Sequence, residues 1–300
     1  MSPFPAPPAG GRALRRLLET PGVVRAPGCF DALSAKIVEQ AGFEASFLGG
    51  FSVSAASLAL PDVGLLSYGE AVAQARAVTA ATTRPVIGDA DTGHGNEVNV
   101  ERTVLGYAHA GIACVMVEDQ TWPKRCGHTA GKTIVDRRDA VRRVRACVRA
   151  REEHGLDILV MARTDANATD GFDEAIWRAK AFSDAGADLT FLEAPESVDQ
   201  MRRYCELVPG WKTANLVEDG RTPWLEPAHL DEVGYALVLY PVSLLLRSMA
   251  SMQAAAEELA GRSGARTARL SFDDARDLLG WSQYERRLQS YDTDPEVQGG

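Results

Sequence analysis

Short apolar, β-branched runs alternate with longer stretches of helical period from residue 23 onward. The runs are VVRAPGCFD (23–31), ASFLGG (45–50), PVIGDAD (85–91), CVMVED (114–119), DILVMARTD (157–165), DLTFLEA (188–194), WKTANL (211–216) and YALVLYP (235–241). Between them lie ALSAKIVEQAG, GEAVAQARAVTAAT, NVERTVLGYAHAG, RRDAVRRVRACVRAREEHG, GFDEAIWRAKAFSDAG, SVDQMRRYCELVP and EPAHLDEVG. Several of these close on glycine, as helix C-termini prefer. Continuous apolar strands alternating with helices describe a parallel sheet buried on both faces. Eight such units predict an α/β fold of the (β/α)8 TIM-barrel type. An open doubly wound sheet fits less well, because no G-x-G-x-x-G follows the first strand. Two more helical stretches, 242–261 and 271–289, follow the last strand. That is more than one closing helix needs, so the tail is expected to pack on a partner subunit. The domain reading is therefore a disordered Pro-rich tail over 1–11, the barrel over 12–262 and a helical C-terminal extension over 263–300.

The bulk numbers add limits. The chain has 300 residues, 45% hydrophobic and 24% charged, which suffices for a sizeable core. A formal net charge of −9 argues against a nucleic-acid surface, although a local group of Lys and Arg can still bind a small anion. The five cysteines (Cys29, Cys114, Cys126, Cys147 and Cys205) are odd in number. They fit neither a disulfide framework nor a zinc knuckle, and they suit a reducing compartment. The N-terminus lacks the apolar core of a signal peptide, and no apolar run of 18 residues exists. The expectation is a cytoplasmic protein that engages no membrane.

Chemistry collects where barrel enzymes place it, at the C-terminal ends of strands. Those ends carry Asp89 and Asp91, Glu118 and Asp119, Arg163 and Asp165, then Glu193, Asn215 and Pro241. Carboxylates buried together are costly unless a cation shares them. A hard divalent ion with oxygen ligands, Mg2+, answers that need. Each motif also has a plainer reading. GDADTGHGN (88–96) suits a strand-to-helix turn, and it is no calcium loop, since the twelfth position from Asp89 is Val100. Asp119 is as easily structural as catalytic. Arg163 suits a bidentate grip on a carboxylate, or a salt bridge within the barrel top with Glu193 as its partner. Asn215 suits a turn cap. His94, His109, His154 and His229 read as surface or packing residues.

The stretch EDQTWPKRCGHTAGK (118–132) follows directly on the fourth strand. A metal knuckle built on Cys126 and His128 lacks two further ligands nearby. A thiol–imidazole nucleophile is poorly served by a separation of two residues in a loop. Lys124, Arg125 and His128 all favour a thiolate at Cys126, and such a thiol can lend or take a proton near neutral pH. A long glycine-containing loop beside a strand end describes a flap that carries an acid onto a bound substrate.

Taken together, PKRCGH after a strand ending in ED, GDADTGHGN upstream and ARTDA downstream resemble the isocitrate lyase/phosphoenolpyruvate mutase superfamily. APGCFDALSAKIVEQAGF, SASLALPDVG, FLEAPES, ANLVEDGRTPWL and LVLYPVS extend the likeness over residues 12–290. KRCGH points to the lyase branch of 2-methylisocitrate lyases, 2-alkylmalate lyases and petal death protein. Carboxyphosphonoenolpyruvate mutases share the PKRCGH and TPWL strings.

The resemblance implies a barrel whose last helix is swapped between paired subunits of a homotetramer, a dimer of helix-swapped dimers. It implies Mg2+, with Mn2+ as a substitute, held by Asp89, Asp91 and Glu118, with Asp62 in the same acidic group. Lys124, Cys126, Gly127 and His128 would form the flap, Cys126 being the acid that protonates a product carbanion. Arg163, Glu193 and Asn215 would meet substrate, with Gly49, Gly50, Phe51 and Pro241 lining its site. The implied reaction is Mg2+-dependent retro-aldol cleavage of a 2-hydroxy di- or tricarboxylate, of 2-methylisocitrate or 2-alkylmalate type, to a 2-oxo acid and a carboxylate. Oxaloacetate hydrolysis and carbon–phosphorus chemistry are the alternatives. Methylisocitrate lyases carry Ser-Gly-Gly after the second strand, whereas this chain has Gly49-Gly50-Phe51. That run resembles the broad-specificity 2-alkylmalate lyase and oxaloacetate hydrolase branch.

Overall fold

The computed structural model describes residues 10–127, 129, 131–262 and 266–292. Its strands are β1 (Val24–Cys29), β2 (Ser46–Leu48), β3 (Val86–Asp89), β4 (Cys114–Glu118), β5 (Leu159–Thr164), β6 (Leu189–Leu192), β7 (Trp211–Asn215) and β8 (Leu237–Tyr240). They pair in parallel and in chain order, and β1 closes on β8 with Val24 opposite Leu237. The eight-stranded barrel expected from the apolar runs is present.

The helices are α1 (Gly11–Leu18), α2 (Ala32–Gln40), α3 (Gly50–Leu58), α4 (Tyr68–Thr79), α5 (Glu97–His109), α6 (Arg137–Glu153), α7 (Ala166–Thr169), α8 (Phe172–Asp184), α9 (Val198–Leu207), α10 (Pro227–Val233), α11 (Ser243–Leu259), α12 (Phe272–Leu279) and α13 (Trp281–Asp292). Three of them were not legible as helices in the pattern. Leu14 and Leu18 of α1 join the apolar cluster of the barrel interior, and Gly11 N donates to the carbonyl of Asp157 at 2.9 Å. This helix therefore lies against the end of the barrel where the strands begin, although it opens beside the Pro-rich tail. The short α3 and α7 follow β2 and β5 directly. The stretch expected as one helix over 271–289 is two, because Gly280 ends α12 in the left-handed region at φ 83°.

Side chains alternate across each strand, and that period decides what faces the barrel axis. Cys114 and Met116, Leu159 and Met161, Leu189 and Phe191, and Leu237 and Leu239 fill the interior. Val115 and Val117, with Val160 and Ala162, pack outward beneath the helices. One step further along the inward series come Glu118, Arg163, Glu193 and Asn215. The same alternation that fills the core thus carries four polar side chains into the barrel mouth. Helices α4 and α5 are started by capping boxes at Ser67 and Asn96, and α6 by the Asp136 carboxylate.

The chain divides into two compact units, one ending at Leu245 and the other beginning at Leu246 within α11. Among the described residues no helix is long and apolar enough to cross a membrane.

Candidate active site

Two groups of charge share the barrel mouth. The first is an acidic corner. Asp89 ends β3, and its Oδ1 accepts from the backbone N–H of Asp91 at 2.9 Å, while Oδ2 accepts from Gly50 N–H at 3.0 Å. Lys124 reaches in from the flap, 2.5 Å from Asp62 Oδ1 and 2.7 Å from Asp91 Oδ1, with its side chain only 3% exposed. Burial pushes the Asp91 carboxyl up to about 6; Lys124 pulls the other way, while Asp89 and Asp62 reinforce the rise. Burial alone would lower the Lys124 ammonium, but Asp91, Glu118, Asp89 and Asp62 outweigh it and hold its pKa well above the usual lysine value. Gly50 has a steric reason for being glycine. A β-carbon there would meet Asp89 Oδ2 at 3.1 Å, Asp91 Oδ1 at 3.2 Å and Lys124 Nζ at 3.4 Å.

The second group is centred on Arg163. Its Nε and Nη2 grip Asp165 at 2.9 and 3.0 Å, Nε also lies 3.3 Å from Glu193 Oε2, and Nη1 lies 3.3 Å from Glu118 Oε2. Burial opposes the guanidinium charge, but Asp165, Glu193 and Glu118 keep its pKa well above the usual arginine value. Burial pushes Glu118 well above the carboxylate range; Arg163 offsets part of this and Asp165 adds to it. Asn215 Nδ2 stands 3.4 Å from Glu193 Oε2. Glu118 thus joins the two groups, facing Arg163 on one side and the acidic corner on the other.

The donor chemistry of the acidic corner suits a hard cation. Its oxygen donors are carboxylates, and Glu118 Oε1 is buried without a hydrogen-bond partner among the described residues. Among the described residues no three His, Cys, Asp or Glu side chains converge closely enough to ligate one ion directly. A cation here would take part of its shell from water, which is the habit of Mg2+.

The flap runs from Gln120 to Ile134, and its base is tied. Gln120 and Ile134 form an antiparallel bridge, Thr121 N–H donates to Thr133 O at 2.9 Å and Val135 N–H to Asp119 O at 2.9 Å. The Gln120 side-chain amide clamps the backbone of Arg125, one bond each way at 2.9 Å. The residues grouped as KRCGH then diverge. Lys124 enters the acidic corner, Arg125 stays exposed, Cys126 is half-buried, and Gly127 rests on the Arg163–Glu193 pair. His128 lies outside the described residues.

Other expected residues are placed as follows. Phe51 on the first turn of α3 is 37% exposed. Pro241 follows β8, where its carbonyl accepts from Ser52 Oγ at 2.9 Å and lies against Gly28. Gly49 caps α3, and a β-carbon there would stand 2.8 Å from the buried Phe47 ring, which occupies the space a serine side chain would need. His94 packs against the rings of Tyr68 and Trp122, at 5.8 and 6.3 Å between centroids.

Asp119 is placed outward by the strand alternation. It accepts from Thr164 Oγ1 at 2.7 Å, Asp165 N–H at 2.9 Å and Arg178 at 3.2 Å, and so braces the β4–β5 ends from behind. Burial raises its pKa, with Asp165 adding to the rise. Sequence reasoning left Asp165, Lys132 and Arg178 without roles. Parity along β4 could have assigned Asp119 to the wall. Nothing local marks Arg178 on α8 as its partner, because the two are 59 residues apart.

The family described as phosphoenolpyruvate phosphomutase matches residues 14–260. The 2,3-dimethylmalate lyase of Eubacterium barkeri is 41% identical over 283 residues, covering 93% of this chain and 97% of its own. The 2-methylisocitrate lyase of Aeropyrum pernix is 37% identical, covering 92% of this chain and 89% of its own. A solved structure of oxaloacetate acetylhydrolase with the inhibitor 3,3-difluorooxalacetate superposes with a TM-score of 0.90 at 28% identity, covering 95% of this chain and 98% of that one.

Proposed function

The chain belongs to the phosphoenolpyruvate mutase/isocitrate lyase superfamily and is an enzyme of it, and on that premise we propose that it is a carbon–carbon lyase. Its substrate is a small 2-hydroxy di- or tricarboxylate of the 2-alkylmalate or 2-methylisocitrate class, released as a 2-oxo acid and a carboxylate. The observation that carries this reading is the position of Cys126. It follows Lys124, which is anchored in the acidic corner, and precedes Gly127, which rests on Arg163 and Glu193. The half-buried Cys126 thus lies on a short stretch of chain anchored at both ends, in the acidic corner and on the Arg163–Glu193 pair, which supports its reading as the acid.

Retro-aldol cleavage needs three things: loss of the hydroxyl proton, departure of the C2–C3 electron pair onto the leaving carboxylate, and protonation of that carbon. Asp89, Asp91 and Glu118 would hold Mg2+, or Mn2+ in its place, which when bound would supply positive charge to the reacting oxygens. Arg163 binds a substrate carboxylate, and Glu193, with Asn215 beside it, takes the hydroxyl proton. The Gly50 N–H is taken by Asp89 Oδ2 and so ties the N-terminus of α3, whose positive end favours anions, to the acidic corner. Cys126 gives the final proton to the departing carbon. The closed flap keeps water from competing for that carbon. Exposed apolar residues on the last two helices, Phe272, Leu279, Trp281 and Leu288 among them, support a swapped C-terminal helix within a homotetramer.

The similarity to oxaloacetate acetylhydrolase, together with Gly49 in place of a serine, favours oxaloacetate hydrolysis as the second reading. Incubation with Mg2+ and a panel of 2-methylisocitrate, 2,3-dimethylmalate, 2-ethylmalate, isocitrate and oxaloacetate separates the two. A 2-oxo acid from one of the hydroxy acids supports the lyase, and oxalate from oxaloacetate alone supports the hydrolase.

A further inference from the structure

Lys132 lies on the return limb of the flap, beyond the KRCGH stretch, yet its side chain turns inward and is 2% exposed. Its Nζ donates to the carbonyl of Gly127 and stands 2.7 Å from Asp165 Oδ1. Asp165 Oδ1 is also the acceptor for Arg163 Nη2 at 3.0 Å. The flap therefore brings its own cation to the carboxylate that grips Arg163. With Lys124 in the acidic corner, each limb of the flap is pinned by one buried lysine.

Charge balance gives the contact a consequence. Asp165, Glu193 and Glu118 all face the single guanidinium of Arg163. Three buried carboxyl groups beside one guanidinium, among the described residues, are costly, and a second cation lowers that cost. Asp165 Oδ1 accepts from both the Lys132 ammonium and the Arg163 guanidinium, so the two cations share one carboxylate. The ammonium also fixes the Gly127 carbonyl, and so holds the peptide after Cys126 in place.

We propose that Lys132 is a positioning residue: by pairing with Asp165 while it holds the Gly127 carbonyl, it pins the return limb of the flap to the Arg163–Asp165 pair and so keeps the peptide after Cys126 in place. The kinetic arm of the test rests on the lyase reading; the latch itself does not.

The test uses the full-length protein with Lys132→Met and Lys132→Arg, each checked for native circular dichroism. The first readout is the rate at which iodoacetamide alkylates Cys126, which needs no substrate. The second is kcat and KM on whichever acid the wild type cleaves. Lys132→Met is expected to label about 10-fold faster and to lose about 10- to 100-fold in kcat, the size of a buried charge-assisted contact. Lys132→Arg should recover most of both. Adding Asp165→Asn to Lys132→Met should cost less than the two single changes multiplied together, because the two residues act on each other. Wild-type labelling and wild-type kcat in Lys132→Met overturn the proposal, as does an Asp165→Asn effect that multiplies independently. Should Lys132→Met not fold, failure of the folded Lys132→Arg protein to keep slow labelling overturns it. Should no acid be cleaved, faster labelling in Lys132→Met still supports the latch, while the lyase reading falls.

Discussion

Gly127 is packed against Glu193 so tightly that a β-carbon on it would stand 2.6 Å from the Glu193 carboxyl carbon and would overlap Nη2 of Arg163. The backbone of the flap is thus in direct contact with the charged ring it covers. Gly127→Ala should hold the flap off the ring and lower turnover by about 10- to 100-fold, the kinetic equivalent of the overpacking penalty in a tight site. Thermal unfolding should stay near the wild-type temperature, because the flap can lift. Steady-state kinetics beside a melting curve checks both halves.

Thiol chemistry should single out Cys126. Burial pushes Cys29, Cys147 and Cys205 up to about 12 and raises Cys114 well above the usual thiol value. A thiol raised in this way carries little thiolate at neutral pH and is shielded as well. Short exposure of the native protein to iodoacetamide, followed by peptide mass spectrometry, should find the label at Cys126 and inactivation in step with it.

Much of this was legible in the residues. Eight apolar runs announced the barrel, and the inward parity of Met116 and Met161 continues into Glu118 and Arg163 without a break. What the pattern could not show is the partnering across the mouth. Arg163 was read as a grip for a substrate carboxylate or as a salt bridge with Glu193; the Glu193 contact is there, but the bidentate partner is Asp165, two positions along its own chain. Lys132 carried no signal of its own in the sequence, and only the return of the flap brings it to Asp165, 33 residues away. The break at Gly280 was visible as a glycine, but apolar spacing on both sides masked it. Contacts made by long side chains across separate loops leave no periodic trace.

Glu174 should make a wall contribution that depends on pH. The Arg137 guanidinium holds its carboxyl below the usual range; Arg178, 2.8 Å away, adds to this and itself holds Asp119. A depressed folded pKa gives stability that is present above the unfolded value of 4.5 and lost as pH falls through the folded value. Glu174→Gln should therefore melt a few degrees lower than wild type at neutral pH, and the gap should narrow well below pH 4.5. Melting curves across that range decide it.

Removal of divalent cations should abolish turnover and leave the barrel folded. With EDTA the activity should disappear while far-ultraviolet circular dichroism is unchanged. Mg2+ should restore it and Mn2+ should do so in part. Asp91→Asn should weaken the Mg2+ requirement curve by at least about tenfold, as loss of one carboxylate at a hard-cation site does.

The most direct measurement compares wild type with Cys126→Ser in the presence of Mg2+, following 2-oxo acid release from the hydroxy acids of the panel and product binding by isothermal titration calorimetry. The account predicts 2-oxo acid from wild type on at least one of them. It predicts a loss of about 10²- to 10⁴-fold in Cys126→Ser, the range of a general acid, with product binding retained. Turnover by Cys126→Ser at the wild-type rate, or no 2-oxo acid from wild type with any of these acids, would contradict it.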